Sequence, residues 1–193
     1  MLNISKIFLV RHGQTDANLN HVVQGQSDTP LNENGIRQAK DVASKLKNVN
    51  AEVVISSDLK RARQTAEIIS RTCGLPLILD ERLREMKLGL WEGKTFEDVM
   101  KDPAAVIWSE KPSQWKINGS ETLEEVQKRM VAAISEFSKR YETFIVVSHG
   151  IAISTFVIFV KKLSLDSMWN YLPDNTAVME IEMNSSLEKS RVE

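Results

Sequence analysis

Two short apolar runs in this chain end in nearly the same way. Ile7-Phe8-Leu9-Val10 stops at Arg11-His12-Gly13, and Phe144-Ile145-Val146-Val147 stops at Ser148-His149-Gly150. A continuous apolar run that ends abruptly reads as a strand buried on both faces, the kind found in parallel sheets. A third stretch, Val53-Val54-Ile55-Ser56-Ser57-Asp58, is related and is soon followed by Arg61. In open α/β sheets, ligands bind just outside the carboxyl ends of the strands. Three strand ends therefore offer Arg11, His12, Arg61 and His149 to one crevice, which we read as a site for a tetrahedral anion, a phosphoryl group first of all.

The rest of the chain supplies helices between such strands. Residues 5–10 form the first strand, and residues 11–31 a loop rich in turn formers, with Gly13, Gly25 and Pro30. Asn32 can cap a helix on which Ile36, Ala39, Ala43 and Leu46 recur at helical spacing. Residues 52–56 form the second strand. Asp58 then caps a helix with Ala62, Ala66 and Ile69 as its apolar stripe, ended by Gly74 and Pro76. Leu77-Ile78-Leu79 is a short third strand. Thr122-Leu123-Glu124-Glu125 fits a capping box, and Leu123, Val126, Met130, Ala133, Ile134 and Phe137 follow on one helical face. Residues 144–148 are the fourth strand, 151–162 a helix and Ala177–Met183 a last strand; the polar residues 184–193 are expected to fray. This alternation predicts a three-layer α/β/α sandwich with a mostly parallel sheet.

Residues 81–118 break the rhythm. They carry Trp91, Trp108 and Trp115, Pro103 and Pro112, and short helical candidates near 95–101 and 103–110. Residues 86–118 are expected to form an excursion that covers the crevice and shapes the substrate pocket; core packing is the plainer role for any single tryptophan. The 193 residues suffice for one domain spanning 1–193.

Composition excludes several classes. A formal net charge of -1 argues against a general nucleic-acid binder. The single Cys73, expected in the turn Cys73-Gly74-Leu75-Pro76, rules out an intrachain disulfide and a cysteine-rich zinc site. The most apolar long segment, Phe144 to Val160, changes character at Gly150 and reads as strand plus helix rather than a membrane span. No secretory signal is evident, so the expected location is the cytoplasm. A homodimer is compatible with the sequence, which leaves the oligomeric state open.

The chemistry rests on few residues. Arginine offers a planar fork of donors that fits phosphate oxygens, and Arg61 falls in a first helical turn, where backbone N–H groups also favour anions. Either arginine alone could instead form a structural ion pair. His12 precedes Gly13, which could let backbone approach a ligand closely, and His149-Gly150 repeats the arrangement. A neutral imidazole at His12, its pKa lowered by the adjacent arginines, could attack phosphorus and form a phosphohistidine. His149 could then donate to the phosphoryl oxygens in the transition state. His21 fits no such pattern and reads as a surface residue. Glu85, in Leu83-Arg84-Glu85-Met86, is a candidate proton donor, though spacing alone singles it out weakly among many glutamates. There is no Walker A loop, no Cys-x5-Arg and no Asp-x-Asp at a strand end. A metal on His12 and His149 would lack a third ligand of convincing spacing and would be repelled by the arginines.

Together these residues resemble the histidine phosphatase, or phosphoglycerate mutase-like, superfamily. Val10-Arg11-His12-Gly13-Gln14-Thr15 with Asn18 is similar to its Arg-His-Gly signature, and Gly25, Pro30-Leu31 and Gly35 to the stretch that follows. Ser56-Ser57-Asp58-Leu59-Lys60-Arg61-Ala62 resembles its second-arginine motif. Leu83-Arg84-Glu85 with Gly89, Trp91-Glu92-Gly93 resembles its acid motif, and Gly119-Ser120-Glu121-Thr122 and Val147-Ser148-His149-Gly150 its last two. The resemblance runs from residue 5 to about 183. It implies a metal-independent phosphohistidine mechanism with His12 as nucleophile, Glu85 as proton donor, and a phosphate pocket of Arg11, Arg61 and His149 with Asn18 and Gly150.

Within the superfamily, the Trp-Glu-Gly form and the short chain resemble the phosphatase branch, which acts on small phosphorylated metabolites without a cofactor. The alternative is a mutase dependent on 2,3-bisphosphoglycerate. Such mutases usually carry paired arginines for the substrate carboxylate, and none occurs here between Arg84 and Arg129, although Lys87, Lys94, Lys111 or Lys116 could replace that charge. A phospho-ligand binding protein without turnover is the third reading.

Overall fold

The computed structural model describes residues 4–184. Its sheet contains β1 (Ile4–Arg11), β2 (Val54–Ser56), β3 (Leu77–Leu79), β4 (Thr143–Ser148) and β5 (Val178–Asn184), in the spatial order β3-β2-β4-β1-β5. The first four strands are parallel and β5 returns antiparallel along β1. The helices are α1 (Asp16–Leu19), α2 (Glu33–Leu46), α3 (Lys60–Cys73), α4 (Phe96–Met100), α5 (Ala104–Glu110), α6 (Leu123–Ser138) and α7 (Gly150–Lys161), with short 3₁₀ turns between some of them.

The layering follows from side-chain alternation along the strands. Ile7 and Leu9 of β1, Ile55 of β2, and Phe144 and Val146 of β4 enter one core. That core is completed by Val126, Met130 and Ile134 of α6 and by Ile153, Phe156 and Val157 of α7. Phe8 and Val10, Val54, Ile145 and Val147 point the other way, onto Val42, Ala43 and Leu46 of α2 and Ala62, Ala66 and Ile69 of α3. Two apolar layers on one sheet are the α/β/α sandwich and mostly parallel sheet that the alternation of elements predicts. Register then places the site. Val10 lies opposite Val147 and Arg11 opposite Ser148, while Ser56 also aligns with Val147. The His12 N–H donates to the carbonyl of Ser148 at 3.0 Å. The two His-Gly pairs therefore leave the sheet side by side.

Local chemistry sets most boundaries as expected. Asn32 caps α2 by accepting from the Gly35 N–H, Thr122 and Glu125 form the capping box of α6, and Gly74 ends α3 in the left-handed region. Other expectations are corrected. Asp58 does not cap α3; Leu59 occupies that position without a side-chain cap, and Asp58 is instead drawn into an ion pair with Arg84. The 11–31 loop contains α1, because Thr15 and Asn18 form a capping box of their own. β2 begins at Val54 rather than 52, and the Glu52 carboxylate just before it accepts the N–H groups of Glu142 and Thr143. Asn184 completes β5 rather than fraying; residues 185–193, expected to fray, lie outside the described residues.

Between β3 and α6 the chain makes the expected break. Trp91 and Trp115 are fully buried and Trp108 nearly so, with ring centroids 4.6–6.1 Å apart. Core packing and pocket formation are combined here, because Trp91 and Trp108 also line the cavity at the strand ends. Among the described residues, no helix is long and apolar enough to cross a membrane.

Candidate active site

His12 and His149 lie together at the carboxyl ends of β1 and β4, 2% and 0% exposed, with ring centroids 5.1 Å apart. His12 Nδ1 lies 2.7 Å from the carbonyl oxygen of Gly13, an acceptor only. The proton of a neutral His12 therefore sits on Nδ1, which leaves the Nε2 lone pair toward the site. Arg61 Nε donates to that Nε2 at 3.2 Å. The His12 pKa is held well below 6.5, first by burial, then by Arg61 and Arg11. Arginine proximity was the cause foreseen from sequence; burial is the larger one.

Arg61 is buried and pinned from two more sides. Its Nη1 donates to the carbonyl of Ser27 at 2.7 Å and its Nη2 to that of Gly25 at 2.8 Å. Burial lowers its pKa to about 10, so it stays cationic at neutral pH. Arg11 Nη1 donates to the carbonyl of Pro173 at 2.6 Å, while its Nε is buried with no partner among the described residues. Among the described residues neither guanidinium is paired with a carboxylate; both are held by backbone carbonyls. Gly150 lies close beside Arg11: a Cβ there would stand 3.1 Å from Leu172 Cδ1 and 3.5 Å from Arg11 Cζ.

Gly13 plays a different part from the one expected. A Cβ on it would meet the carbonyl oxygen of Gly35 at 2.5 Å. Its N–H is donated to Thr65 Oγ1 at 3.1 Å. The glycine thus lets the loop pack onto the start of α2 rather than onto a ligand.

His149 is oriented by Ser57. Its Nε2 lies 2.8 Å from Ser57 Oγ, which also accepts the Leu59 N–H at 3.3 Å. Burial, followed by the charge of Arg61, keeps the His149 pKa well below 6.5. Its Nδ1 is a buried atom without a partner among the described residues, and it carries the ring proton in the tautomer in which Ser57 donates to Nε2.

Glu85 reaches the same site from the turn after β3. Its Oε1 accepts the N–H groups of Met86 at 2.9 Å and Ala152 at 3.0 Å, and its Oε2 that of Ile151 at 3.2 Å. The carboxyl thus sits on the first turn of α7, where two of the helix's free N–H groups meet it. Sequence reasoning missed the support beneath it. Arg129 of α6 donates to the carbonyls of Arg82, Arg84 and Glu85 at 2.8, 2.6 and 2.9 Å, and forms a two-pronged pair with Glu121. Glu121 also accepts the Lys87 N–H at 2.8 Å. Glu121 and Ser57 lay within recognised motifs; nothing local marked Arg129.

Arg11, His12, Asn18, Arg61, Glu85 and Gly150 share the lining of one cavity of about 400 Å³. Asn18 Oδ1 accepts from the Thr15 N–H at 3.1 Å and the Thr15 hydroxyl at 3.0 Å, which leaves its amide N–H groups as donors. His21 is exposed and outside the lining. Lys87, Lys94, Lys111 and Lys116 are all exposed and line no part of the cavity, so the charge substitution entertained for a mutase is not made there. Among the described residues, no group of three or more His, Cys, Asp or Glu is placed to hold a metal ion.

Two cations, a neutral imidazole whose Nε2 lone pair meets only the Arg61 N–H and a carboxyl group on one cavity lining are the equipment for transfer of a phosphoryl group. Residues 7–191 match the family model of the histidine phosphatase superfamily (branch 1), and the chain belongs to that family. It is 32% identical over 190 residues to the putative phosphoserine phosphatase 2 of Hydrogenobacter thermophilus, covering 97% of this chain and 93% of that protein. It is likewise 32% identical over 195 residues to the probable phosphoglycerate mutase GpmB of Escherichia coli, covering 94% and 86% of the two chains. Among solved structures it is similar to mycobacterial glucosyl-3-phosphoglycerate phosphatase complexed with VO3, with TM-score 0.83, 29% identity, and 91% and 92% of the chains covered.

Proposed function

We propose that this chain is a phosphomonoesterase for a small phosphorylated metabolite, working through a covalent phosphohistidine at His12. The observation that carries the reading is the His12 ring, whose Nδ1 proton is committed to Gly13 and whose Nε2 lone pair faces Arg61 in a buried anion site. On binding, the phosphoryl oxygens take donors from Arg11, Arg61, the Asn18 amide and His149 Nδ1. The His12 Nε2 lone pair forms the N–P bond as the ester P–O bond breaks, and the departing alkoxide takes a proton from Glu85. A water molecule then attacks phosphorus and gives a proton to the Glu85 carboxylate. The N–P bond breaks, inorganic phosphate leaves, and Glu85 is again an acid. Every group in this cycle is a side chain or backbone amide of this chain. The whole chain serves one site, with residues 86–118 as its cover.

Hydrolysis is favoured over mutation because the cavity lining provides no third arginine or lysine for a substrate carboxylate among the described residues. The relatives named above as phosphatases support the same choice. A cytoplasmic location follows the sequence expectation, and the free, half-buried thiol of Cys73 suits a reducing compartment. Phosphorus NMR with 3-phosphoglycerate, a trace of 2,3-bisphosphoglycerate and, in parallel, a panel of phosphomonoesters tests the choice. The expected result is release of inorganic phosphate from the panel. Rapid appearance of 2-phosphoglycerate without inorganic phosphate would make the chain a mutase.

A further inference from the structure

Beyond its charged base, the cavity changes character. Phe96 and Met100 of α4 and Trp169 and Leu172 from the segment after α7 all line it. These side chains are 54%, 64%, 40% and 39% exposed, high values for large apolar groups and all gathered on one opening. Trp169 is held in place. Its indole N–H donates to the carbonyl of Trp108 at 3.2 Å, and its ring meets that of Trp108 edge-on at 5.2 Å. It therefore presents an apolar face rather than a donor. Leu172 Cδ1 and the Arg11 guanidinium both lie close to Gly150, so apolar and charged parts of the lining adjoin there. Asn18 and Gln24 also line the cavity; their side-chain carbonyl oxygens accept from Thr15, and their amide N–H groups are donors without charge.

We propose that the alcohol released by this enzyme is apolar and carries no carboxylate, an alkyl or aryl alcohol gripped between Phe96 and Trp169 beside Leu172. The inference rests on the phosphatase reading above and deepens it. Arg11 and Arg61 are the only cations on the lining among the described residues, and both serve the phosphoryl group in that reading. A carboxylated leaving group would have to shed its water against aromatic and aliphatic carbon without a counter-charge. An apolar one gains with every methylene it buries.

The test uses ethyl, butyl and hexyl phosphate, whose leaving alcohols are nearly equal in acidity, with phosphoserine and 3-phosphoglycerate as carboxylated comparators. From ethyl to hexyl phosphate kcat/KM should rise by about 3-fold per methylene, which is about 80-fold over the four methylenes, and by no less than about tenfold. Both carboxylated esters should fall below butyl phosphate. Trp169→Ala and Phe96→Ala should each cut the hexyl-to-ethyl ratio by at least about threefold. A ratio taken on one preparation does not depend on how much of a variant folds. A smaller rise than tenfold in the parent protein, or a preference for either carboxylated ester, overturns the substrate class while the phosphatase reading stands. A ratio unchanged in both variants removes the grip from these side chains. Release of inorganic phosphate from none of the five esters overturns the phosphatase reading itself.

Discussion

On the proposed mechanism, His12 is poised as a nucleophile by its neighbours rather than by its own identity. The Gly13 carbonyl holds the proton on one nitrogen, and burial with two guanidiniums keeps the ring neutral. On the proposed mechanism, Glu85 matters most when the leaving group is poor, because an alkoxide needs its proton as the P–O bond breaks. Glu85→Gln keeps an acceptor for the backbone N–H groups of α7 but removes the acid. It should lower kcat for alkyl phosphates by roughly 10²–10⁴-fold. It should lower kcat for p-nitrophenyl phosphate much less, which steady-state rates on the two esters will show. Equal losses on both esters would take the acid role away from Glu85. The same residue shows the limit of sequence reasoning at this scale. Glu85 is one of many glutamates until its contacts with Ile151 and Ala152 are known, and those lie 66 and 67 positions away.

Among the elements, the site is braced by Glu92 and Arg129, which do not line the cavity. Glu92 accepts the Leu88 and Gln26 N–H groups, tying the Trp-Glu-Gly turn to the loop whose Gly25 carbonyl holds Arg61. Arg129 makes the corresponding brace for Glu85, joining α6 to the turn after β3. Replacing it by alanine takes the donor from the carbonyls of Arg82 and Arg84, leaves that of Glu85 with Gln26 Nε2 alone, and leaves Glu121 with only the Lys87 N–H. Arg129→Ala should cost about 2–4 kcal/mol in urea unfolding. Through the displaced carboxyl it should lower kcat by roughly 10–100-fold. Arg129→Lys should not restore either value, since an ammonium cannot span the same fork. An unchanged kcat in Arg129→Ala would separate this brace from the chemistry. Element boundaries were legible where capping is local, as at Asn32 and Thr122. They were misread where a distant partner competes: Asp58 has the right chemistry for a cap, but Arg84 claims it.

Across the whole molecule, burying two neutral imidazoles makes stability depend on pH. Both folded-state pKa values are depressed well below 6.5, so below about pH 6.5 the unfolded chain binds protons that the folded chain does not. Their contribution is constant above that pH and is lost as pH falls. The slope approaches about 1.4 kcal/mol per pH unit for each histidine. The thermal midpoint should therefore drop between pH 7 and pH 5, and His12→Asn with His149→Asn should flatten that drop; an unaltered profile would contradict the buried neutral state. The architecture was legible because abrupt strand ends and side-chain alternation are local signals, and the paired His-Gly motifs marked the site. Trp169 was not legible. It reaches the cavity from a turn beyond α7 and is fixed by the carbonyl of Trp108, a contact 61 positions away. The central claim is the covalent intermediate at His12, and rapid acid-free quenching with a ³²P-labelled phosphomonoester tests it most directly. The account predicts an acid-labile, base-stable phosphoenzyme in the parent protein, mapped to the peptide containing His12 and absent from His12→Ala along with turnover. Phosphate release or a labelled enzyme persisting in His12→Ala would contradict it.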